Sequence, residues 1–458
     1  MRHYALMVVG GGTGGLRTAI SAAQEGFKTV LIEPSVLGGT CLNHGCIPTK
    51  ALLYSAHVYQ LINKASIFGI RASAVKPDFK AIMKRMHGIV QEGQSHIYKS
   101  IRKMRNLTLI RKPARFLSKN VVQAGEERLS ADRIIIATGS KSMFIPIPGL
   151  TATPYWISDD VLNLKKLPKS VILIGGGYIS MEFATFFNDL GSKVIVLERL
   201  PHVLPLLDED VAAYVTWCYE KEGVEIHTNV NILHVQERNG KKTVAANDVR
   251  NPKSKQTNYQ ADELLLAIGR VPNTDGLDLE KARVKLGERK NIEVNDYLQT
   301  SNPSIYAMGD VTGKAPFAHA VKRESKLLLD NLLHRKKNKI MLDLVPYAVF
   351  TNPPIAGVGL TEKEAKERKY AYAVMKAPYA STGRARIIED DRGFVKVIYD
   401  KKTRKLLGCT IIGPNADDLI HEYVAVMSSA SPTIDVIQKT IHIHPTLSEV
   451  NDSLEPDE

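Results

Sequence analysis

The chain has 458 residues and a mass of 50.7 kDa, which predicts two to four domains rather than one core. Its 44% hydrophobic and 24% charged residues are ordinary for a soluble globular protein, and no apolar stretch approaches the roughly 20 residues of a membrane span. The net charge of +13 comes from scattered basic clusters without interleaved aromatic residues, which favours a solvated surface over a binding platform for single-stranded nucleic acid.

The first residues lead directly into an apolar run at 5–9, so no signal peptide is expected. Only four cysteines occur in this length, which fits a reducing compartment. The expected location is therefore the cytoplasm.

A dinucleotide-binding fingerprint opens the chain. The strand at 5–9 is followed by Gly10, Gly12 and Gly15 in Gly-x-Gly-x-x-Gly spacing, then by a helical pattern and a second strand that ends at Glu33. The glycines permit a tight turn, a close approach to a pyrophosphate, and close packing of helix on strand. Glu33 is predicted to accept hydrogen bonds from a ribose.

Two cysteines, Cys41 and Cys46, follow this fingerprint closely. Such a small ring would add little stability as a structural disulfide, so the pair is interpreted as a redox dithiol. A zinc site with His44 as third ligand and a pair of inert thiols are the alternatives. Zinc needs about four ligands, and Cys218 and Cys409 have no His or Cys nearby in sequence.

The fingerprint recurs downstream. A strand at 171–174 leads into Gly175 and Gly177, then a helix predicted from Met181, then a strand that ends at Glu198. Two such folds predict two dinucleotides, a tightly held flavin and a diffusing nicotinamide cofactor. Ser180 replaces the third glycine, and a slightly shifted helix is expected. Glu198 favours NAD over NADP because a carboxylate repels a 2′-phosphate.

Other segments connect these folds. Residues 77–105 predict a long helix with a basic exposed face, and 141–154, rich in Pro and Gly, predict a linker. Residues 304–312 predict a strand with Gly-Asp at its end, where Asp310 is a candidate to bind the flavin ribitol. A helix-capping aspartate is the alternative. A helix is predicted over 318–333.

From about residue 341 the pattern changes to alternating strands, at 394–399 and 406–412, followed by two helices. This α+β segment lacks a nucleotide fingerprint and is a candidate for dimerisation. It ends near His444 and Glu449, which are spaced to form a carboxylate-oriented imidazole, the usual base for a thiol. A satisfied surface histidine is the alternative.

Together these motifs resemble one family over nearly the whole chain, the flavin-dependent pyridine nucleotide–disulfide oxidoreductases, and most closely the members that oxidise dihydrolipoamide with NAD⁺. The matching residues are 39–50, 137–139, 175–179, 267–270, 309–310 and 442–449. The resemblance implies an α/β fold with two Rossmann-like domains and a C-terminal α+β dimerisation domain. Its implied boundaries are 1–145 (FAD), 146–270 (NAD), 271–340 (completing the FAD domain) and 341–458 (interface).

The resemblance also implies the catalytic roles. Cys41 would be the exposed thiol that exchanges with substrate, and Cys46 the sulfur that lies against the flavin. His444, supplied by the other subunit of a homodimer, would deprotonate the substrate thiol while Glu449 holds its tautomer. Lys50 and Glu182 would pair near the reactive nitrogen of the flavin.

The implied cofactor contacts involve FAD and NAD, and no metal. The implied flavin contacts are Gly10, Gly12, Gly15, Glu33, Thr40, Lys50, Ala114, Thr138, Gly139, Asp310 and Ala318. Those for NAD are Gly175, Gly177, Tyr178, Ile179, Glu198, Val230 and Gly269, with Tyr178 as a gate over the nicotinamide. Arg270 is a further implied cofactor contact that is assigned to neither dinucleotide.

Three functions remain open from the sequence. The first is oxidation of dihydrolipoamide, free or on a lipoyl domain of a 2-oxo acid dehydrogenase or glycine cleavage complex. The second is reduction of another small disulfide or an electrophile by NADH or NADPH. The third is a basic binding protein without activity that retains the fold; nucleic acid and membrane partners are otherwise not expected.

Overall fold

The computed structural model describes residues 1–457 as a mixed α/β chain. By internal contacts the chain forms two compact units. The first unit contains Met1–Ala51, Lys80–Phe144 and Gly269–Leu342, and the second contains Leu52–Phe79, Ile145–Ile268 and the chain from Asp343 onward. Within residues 1–457, no helix combines the length and apolar character that crossing a membrane requires. The four predicted domain boundaries remain predictions.

The regular elements are numbered in chain order. The strands are β1 (Arg2–Val9), β2 (Thr29–Ile32), β3 (Leu107–Ile110), β4 (Ala114–Phe116), β5 (Val121–Ala124), β6 (Glu127–Ile136), β7 (Ser140–Ser142), β8 (Ser170–Ile174), β9 (Lys193–Leu197), β10 (Glu225–His227), β11 (Val230–Arg238), β12 (Lys241–Asp248), β13 (Thr257–Ala261), β14 (Glu263–Leu266), β15 (Arg270–Pro272), β16 (Ile305–Ala307), β17 (Tyr347–Val349), β18 (Ile355–Gly359), β19 (Tyr372–Pro378), β20 (Phe394–Asp400), β21 (Leu406–Ile412) and β22 (Glu455–Pro456). The α-helices are α1 (Thr13–Gln24), α2 (Gly39–Asn43), α3 (Cys46–Asn63), α4 (Phe79–Arg102), α5 (Ser158–Val161), α6 (Tyr178–Asp189), α7 (Glu209–Lys221), α8 (Ala318–Leu333), α9 (Glu362–Glu367), α10 (Gly383–Ile387), α11 (Ala416–Met427) and α12 (Ile434–Lys439). Short 3₁₀ helices occur at Ala65–Phe68, Leu150–Ala152, Gly309–Thr312, Tyr379–Ser381 and Leu447–Ser453.

The first unit is built on a seven-stranded sheet in the order β3-β2-β1-β6-β5-β4, with β16 also paired to β6. Strands β1, β2 and β6 are parallel, and Val9 is in register with both Ile32 and Ile136. These strands read as continuous apolar runs because both faces of a parallel sheet are covered. The shared register brings the carboxyl ends of the three strands, and the loops that follow them, to one edge.

The second unit contains three sheets. Strands β10-β9-β8-β14 form a parallel sheet that repeats the β1–β2 arrangement, and β11-β12-β13 form an antiparallel sheet. The C-terminal sheet has the order β17-β18-β21-β20-β19-β22. Helices α11 and α12 cover this last sheet through buried Ile420, Tyr423 and Ile437. The predicted α+β character of the C-terminal segment is therefore confirmed.

Two expectations about elements need correction. Helix α6 begins at Tyr178, one turn before the predicted start at Met181, so that Ser180 lies inside it. The predicted linker 141–154 contains the end of strand β7, which pairs antiparallel with β15. That strand is three residues long and exists through a partner far along the chain, which local composition does not reveal.

Candidate active site

The first glycine turn joins β1 to α1 and has one open side. A Cβ added to Gly10, whose φ is +110°, would lie 2.3 Å from the carbonyl oxygen of Ala137. A Cβ on Gly15 would lie 2.0 Å from the carbonyl oxygen of Gly10, whereas one on Gly12 would meet nothing closer than Gly39 Cα at 3.8 Å. The turn is closed against protein at two glycines and open at the third. This cradle fits the pyrophosphate of a dinucleotide.

Glu33 follows the neighbouring strand β2 and braces this turn. Its carboxylate accepts hydrogen bonds from the backbone N–H groups of Gly11, at 2.7 Å, and Ser35, at 2.9 Å. A carboxylate has about four lone-pair positions, so these bonds leave acceptor capacity for the hydroxyls of a ribose.

The redox segment contacts the same turn. Gly39, at φ +60°, has its backbone against Gly12, since an added Cβ would lie 2.5 Å from Gly12 Cα. Helix α2, with Thr40 and Cys41, starts at this contact, and Cys46 is the first residue of α3. The glycines at 38 and 39 were the sequence signal for this close approach.

The two cysteine thiols share a hydrogen bond and differ in acidity. The bond from Cys46, a second bond from Thr13, and the positive charges of Lys322 and Lys50 lower the pKa of Cys41 to about 6, although burial opposes them. The same bond to Cys41, together with burial, raises the pKa of Cys46. The arrangement is therefore a thiolate on Cys41 stabilised by a thiol on Cys46.

The exposure of the two cysteine residues differs from the implied order. The resemblance implies that Cys41 is the exposed thiol, but in this chain Cys41 is half-buried and Cys46 is exposed. The acidity of Cys41 still suits it for thiol exchange. The assignment of exchange and flavin-facing roles remains a prediction, and Thr13 and Lys322 are contributors that the sequence did not identify.

A second group of predicted flavin contacts lies where β16 ends. Asp310 accepts a hydrogen bond from Ser140 Oγ at 2.6 Å, and Arg270 donates to Ser140 Oγ at 2.8 Å and to its carbonyl oxygen at 2.7 Å. Thr138 Oγ1 donates to Asn273 O at 2.7 Å, and Gly139 has a φ of +70°. Arg270, a predicted cofactor contact, thus lies beside Ser140 and Asp310.

Two other predicted flavin contacts occupy element starts. Ala114 is the first residue of β4, and Ala318 is the first residue of α8. Neither side chain has polar atoms, so a contact there would be made by backbone or by packing. Their roles remain predictions.

Glu324 is a buried carboxyl beside Asp310 that the sequence analysis did not assign. Its Oε2 accepts the N–H of Gly309 at 2.7 Å, while its buried Oε1 has no hydrogen-bond partner within residues 1–457. Burial raises the pKa of Glu324 to about 7. The Glu324 Oε1 atom, buried near Gly309 without a hydrogen-bond partner among the residues that the structure describes, fits a site that binds a polar group of a ligand. The sequence signal was the glutamate on the buried face of α8.

The second glycine turn joins β8 to α6. Gly175 has a φ of +101°, and an added Cβ would lie 2.6 Å from Ala267 O, whereas a Cβ on Gly177 would meet nothing within 4 Å. Glu198 accepts from the N–H groups of Gly176 and Leu200, as Glu33 does in the first turn. The same open side and the same brace fit a second dinucleotide.

The remaining predicted NAD contacts surround this turn or lie apart from it. Val230 begins β11 and its N–H bonds the carbonyl of Glu198 at 2.9 Å. Ile179 is half-buried, and Tyr178 stacks on Tyr347 with ring centroids 6.0 Å apart. Burial raises the pKa of Tyr178 to about 12. Gly269 has a φ of +128° and belongs to the first unit.

Lys50 and Glu182 belong to different units. Lys50 lies on α3 in the first unit, one turn after Cys46. Glu182 is buried on α6 in the second, where its Oε1 accepts the N–H of Phe350 at 3.1 Å. Their predicted pairing remains a prediction.

His444 and Glu449 form the predicted dyad within the second unit. His444 Nδ1 lies 2.7 Å from Glu449 Oε1, and Glu449 Oε2 accepts the N–H of Thr446 at 2.8 Å. The His444 side chain is 78% exposed, against 19% for Glu449. The bonds from His444 and Thr446 lower the pKa of Glu449. With Nδ1 bonded to a carboxylate, Nε2 is the ring atom left to take a proton.

Comparison with known proteins gives matches over almost the whole chain. Residues 4–326 match the family described as pyridine nucleotide-disulphide oxidoreductase, and residues 345–454 match its dimerisation domain. A dihydrolipoyl dehydrogenase of Thermus scotoductus is 36% identical over 98% of this chain and 96% of its own. A mercuric reductase of Lysinibacillus sphaericus is 33% identical over 98% of this chain and 81% of its own.

Among solved structures, the HOCl-induced flavoprotein disulfide reductase RclA from Escherichia coli is similar, with a TM-score of 0.88 and 32% identity. The match covers 98% of this chain and 99% of that one. A Cu(II) complex of the same reductase matches equally well, also at 0.88.

Proposed function

The chain belongs to the pyridine nucleotide-disulphide oxidoreductases, and we propose that within this family it oxidises dihydrolipoamide to lipoamide with NAD⁺ as acceptor. FAD and NAD are the cofactors of this class. The observation that carries the proposal is the exposed His444 imidazole held by Glu449 at 2.7 Å. A dithiol substrate must lose protons to react, whereas a metal ion has none to lose, so such a base favours a dithiol.

The chain's own residues divide the work as follows. His444 Nε2 takes the proton of one substrate thiol, whose sulfur attacks Cys41 in the Cys41–Cys46 disulfide and releases Cys46 as the leaving thiolate. The second substrate thiol gives its proton to the released Cys46 thiolate and attacks the substrate sulfur of this mixed disulfide, which yields lipoamide and releases Cys41 as a thiolate, so that both cysteines are reduced. The low pKa of Cys41 makes it a good leaving group in that second step. FAD, when bound, supplies a two-electron relay from this dithiol to NAD⁺.

Glu198 supports the choice of NAD. Both of its oxygens already accept backbone N–H groups, which fixes a negative charge beside the second glycine turn. A 2′-phosphate on the ribose would be repelled there, whereas a hydroxyl can donate to the carboxylate. The neighbouring residue, Arg199, is a cation that attracts phosphate, so the test includes NADP⁺ as well as NAD⁺.

The match to a dimerisation domain supports a homodimer. We propose that the dimer supplies His444 to the cysteines of its partner subunit, and that the dithiol is presented either free or on a lipoyl domain of a 2-oxo acid dehydrogenase or glycine cleavage complex.

The test is steady-state oxidation of dihydrolipoamide by the flavin-loaded dimer with NAD⁺ and with NADP⁺. Cys46→Ser should abolish turnover while flavin absorbance is retained, since no predicted flavin anchor is removed. Cys409→Ser, a change at a buried cysteine outside the site, is the matched control and should keep wild-type turnover. Absence of turnover with dihydrolipoamide and either nucleotide would overturn the proposal.

A second candidate is reduction of another small disulfide or an electrophile. The mercuric reductase and RclA are nearly as similar to this chain as the dihydrolipoyl dehydrogenase. His44, exposed between the two cysteines, adds a nitrogen ligand or proton donor at the substrate side. A panel of disulfides, Hg²⁺ and Cu²⁺ with NADH and NADPH discriminates the two candidates by kcat/KM.

A further inference from the structure

His442 is the inward-facing side chain of an otherwise exposed segment. Its side chain is 4% exposed, whereas Ile441 is 96% exposed, Ile443 77%, and the His444 side chain 78%. The segment 441–446 joins α12 to the 3₁₀ helix Leu447–Ser453. Within the described chain, the N–H groups of 441–444 make no backbone hydrogen bond. Side-chain contacts must therefore hold the segment that carries His444.

Two carboxylates from different elements form hydrogen bonds with the His442 ring. Its Nδ1 lies 2.7 Å from Asp452 Oδ1, on the 3₁₀ helix, and its Nε2 lies 3.1 Å from Glu422 Oε1, on α11. Glu422 is itself fixed, because its Oε2 accepts from Asn451 Nδ2 at 2.9 Å. Asn451 Oδ1 in turn accepts from the buried Tyr423 hydroxyl at 2.7 Å. A continuous polar chain thus joins His442 to the core of the C-terminal sheet.

This arrangement requires a charged ring. Ionised carboxylates only accept hydrogen bonds, so both ring nitrogens must donate, which only the imidazolium does. Burial opposes the charge, but the bonds to Asp452 and Glu422 prevail and raise the pKa of His442. Glu449, which is bonded to His444, is a third carboxylate near this ring, and the charge of His442 helps to lower the pKa of Glu449. The two histidine side chains thus differ: that of His442 lies between two carboxylates, and that of His444 is exposed.

We propose that His442 is a positioning residue: it fixes the segment 441–446 between α11 and the 3₁₀ helix, so that His444 presents Nε2 to the substrate thiol. The inference rests on the proposed function of His444 as the base. His442 does not touch substrate; it acts through His444. A displacement of about 1 Å of a reacting group costs on the order of 100-fold in rate, so loss of this grip should be measurable.

The first test is the variant His442→Gln in the flavin-loaded dimer, with His96→Gln, an exposed histidine on α4, as matched control. The kcat/KM for dihydrolipoamide should fall by about tenfold or more. Reduction of an artificial one-electron acceptor by NADH, which needs no base for a thiol, should stay within twofold of wild type. Equal loss of both activities would indicate a merely structural role and overturn the proposal. Asp452→Asn removes one carboxylate from His442 and should lower only the activity with dihydrolipoamide. Because the Asp452 side chain is 52% exposed, this variant should fold even if His442→Gln does not.

A double-variant comparison gives the sharper test. If His442 acts only through His444, then His442→Gln should cost less than twofold once His444 is already Gln. Multiplying losses in the double variant would refute the positioning role. Should wild type turn over another disulfide but not dihydrolipoamide, the proposed substrate fails, and wild type, the two single variants and the double variant are compared with that disulfide.

The pH profile supplies an independent readout. A group whose pKa is raised on folding contributes its stabilisation fully below its unfolded pKa, near 6.5, and loses it as the pH rises through the folded value. The wild-type kcat/KM should therefore decline on the alkaline side, because a neutral His442 ring loses its hydrogen bond to Glu422 or to Asp452. His442→Gln should lack this decline, and an unchanged alkaline limb would count against the proposal.

Discussion

Cys41 and Cys46 carry the same side chain in one short segment, yet their acidities are opposite. Cys41 receives hydrogen bonds from Cys46 and Thr13 and lies near two lysines, whereas Cys46 gives up its own proton only by breaking the bond to Cys41. The difference comes from neighbours and not from sequence position.

The first prediction is that Cys41 of the reduced protein is alkylated as a low-pKa thiol. Its pKa lies at about 6 instead of the ordinary 9.0, so the thiolate forms as the pH rises through about 6 and the rate should level off near neutrality. Cys46→Ala removes the largest stabilising bond and should move the midpoint of the rate to higher pH. Mass-spectrometric rates of iodoacetamide labelling from acid to alkaline pH measure this. A midpoint near 9 in wild type would contradict it.

Among individual residues, the sequence predicted the pairs whose members lie close together in the chain. The spacing of His444 and Glu449 suggested a dyad, and their atoms are 2.7 Å apart. It did not identify Thr13 or Lys322 beside Cys41, because their proximity depends on the packing of α1 and α8. Nor did it identify Glu324, whose unpartnered oxygen becomes visible only once the burial of α8 is known.

Among the elements, the two strand–turn–helix units show how one fingerprint tolerates different residues. In the first, Gly15 has no room for a side chain, because its Cβ would lie 2.0 Å from Gly10 O. In the second, Ser180 stands at the corresponding place, fully buried, with a hydroxyl that has no hydrogen-bond partner within residues 1–457. The second turn therefore accommodates a small buried side chain where the first has no room for one, and the shifted helix stays a prediction.

The second prediction contrasts these two positions. Gly15→Ala should displace α1 and reduce both flavin content and stability, by about 1–3 kcal/mol or more, because the obstructing atom is backbone. Ser180→Ala, its matched partner, removes an unsatisfied buried hydroxyl and should be neutral or slightly stabilising. Flavin absorbance and urea unfolding of both variants measure this. Full flavin content in Gly15→Ala would show that the turn is softer than its geometry indicates.

Long, strongly patterned elements were the predictable ones. The helix expected over 318–333 is α8, Ala318–Leu333, and the strand expected at 406–412 is β21, Leu406–Ile412. Strand β7 was missed because its pairing with β15 is decided by tertiary structure. Local propensity carries no information about such a partner.

For the whole molecule, the net charge of +13 is unevenly divided. The first unit has 32 Lys and Arg against 15 Asp and Glu, a net +17, which leaves 29 against 33, a net −4, for the second. The sequence could not show this, because both units are assembled from separate segments. Cys41 and Cys46 therefore lie in the positively charged unit, whose charge adds to that of the local lysines in favouring a thiolate.

The second unit contains a buried ionic cluster that joins its parts. Lys396, on β20, is 1% exposed and contacts Asp208 at 3.0 Å, Asp210 at 2.8 Å, and Glu362. Asp208 and Asp210 lie at the start of α7, and Glu362 begins α9. Burial opposes the charge of Lys396, but its bonds to Asp210 and Glu362 raise its pKa. The cluster ties the second nucleotide fold to the C-terminal sheet.

The third prediction follows from this cluster. Lys396→Met removes the cation that Asp208 and Glu362 contact, leaves Asp210 with Lys376, and should destabilise the chain by about 3–5 kcal/mol. Lys376→Met is the matched control: that lysine also contacts Asp210 but is 29% exposed, so about 1 kcal/mol or less is expected. Urea unfolding gives both values. Equal effects of the two substitutions would show that the buried cation contributes nothing special.

The backbone contact between Gly12 and Gly39 has an evolutionary consequence. A Cβ on Gly39 would lie 2.5 Å from Gly12 Cα, so position 39 cannot gain a side chain while the nucleotide turn stays in place. Substitutions that alter substrate scope are thereby channelled to outward-facing sites in the same segment, such as exposed His44. One part of the redox segment is thus fixed by backbone packing, whereas its exposed residues are free to vary. This is a route by which one scaffold can diversify to different acceptors and donors.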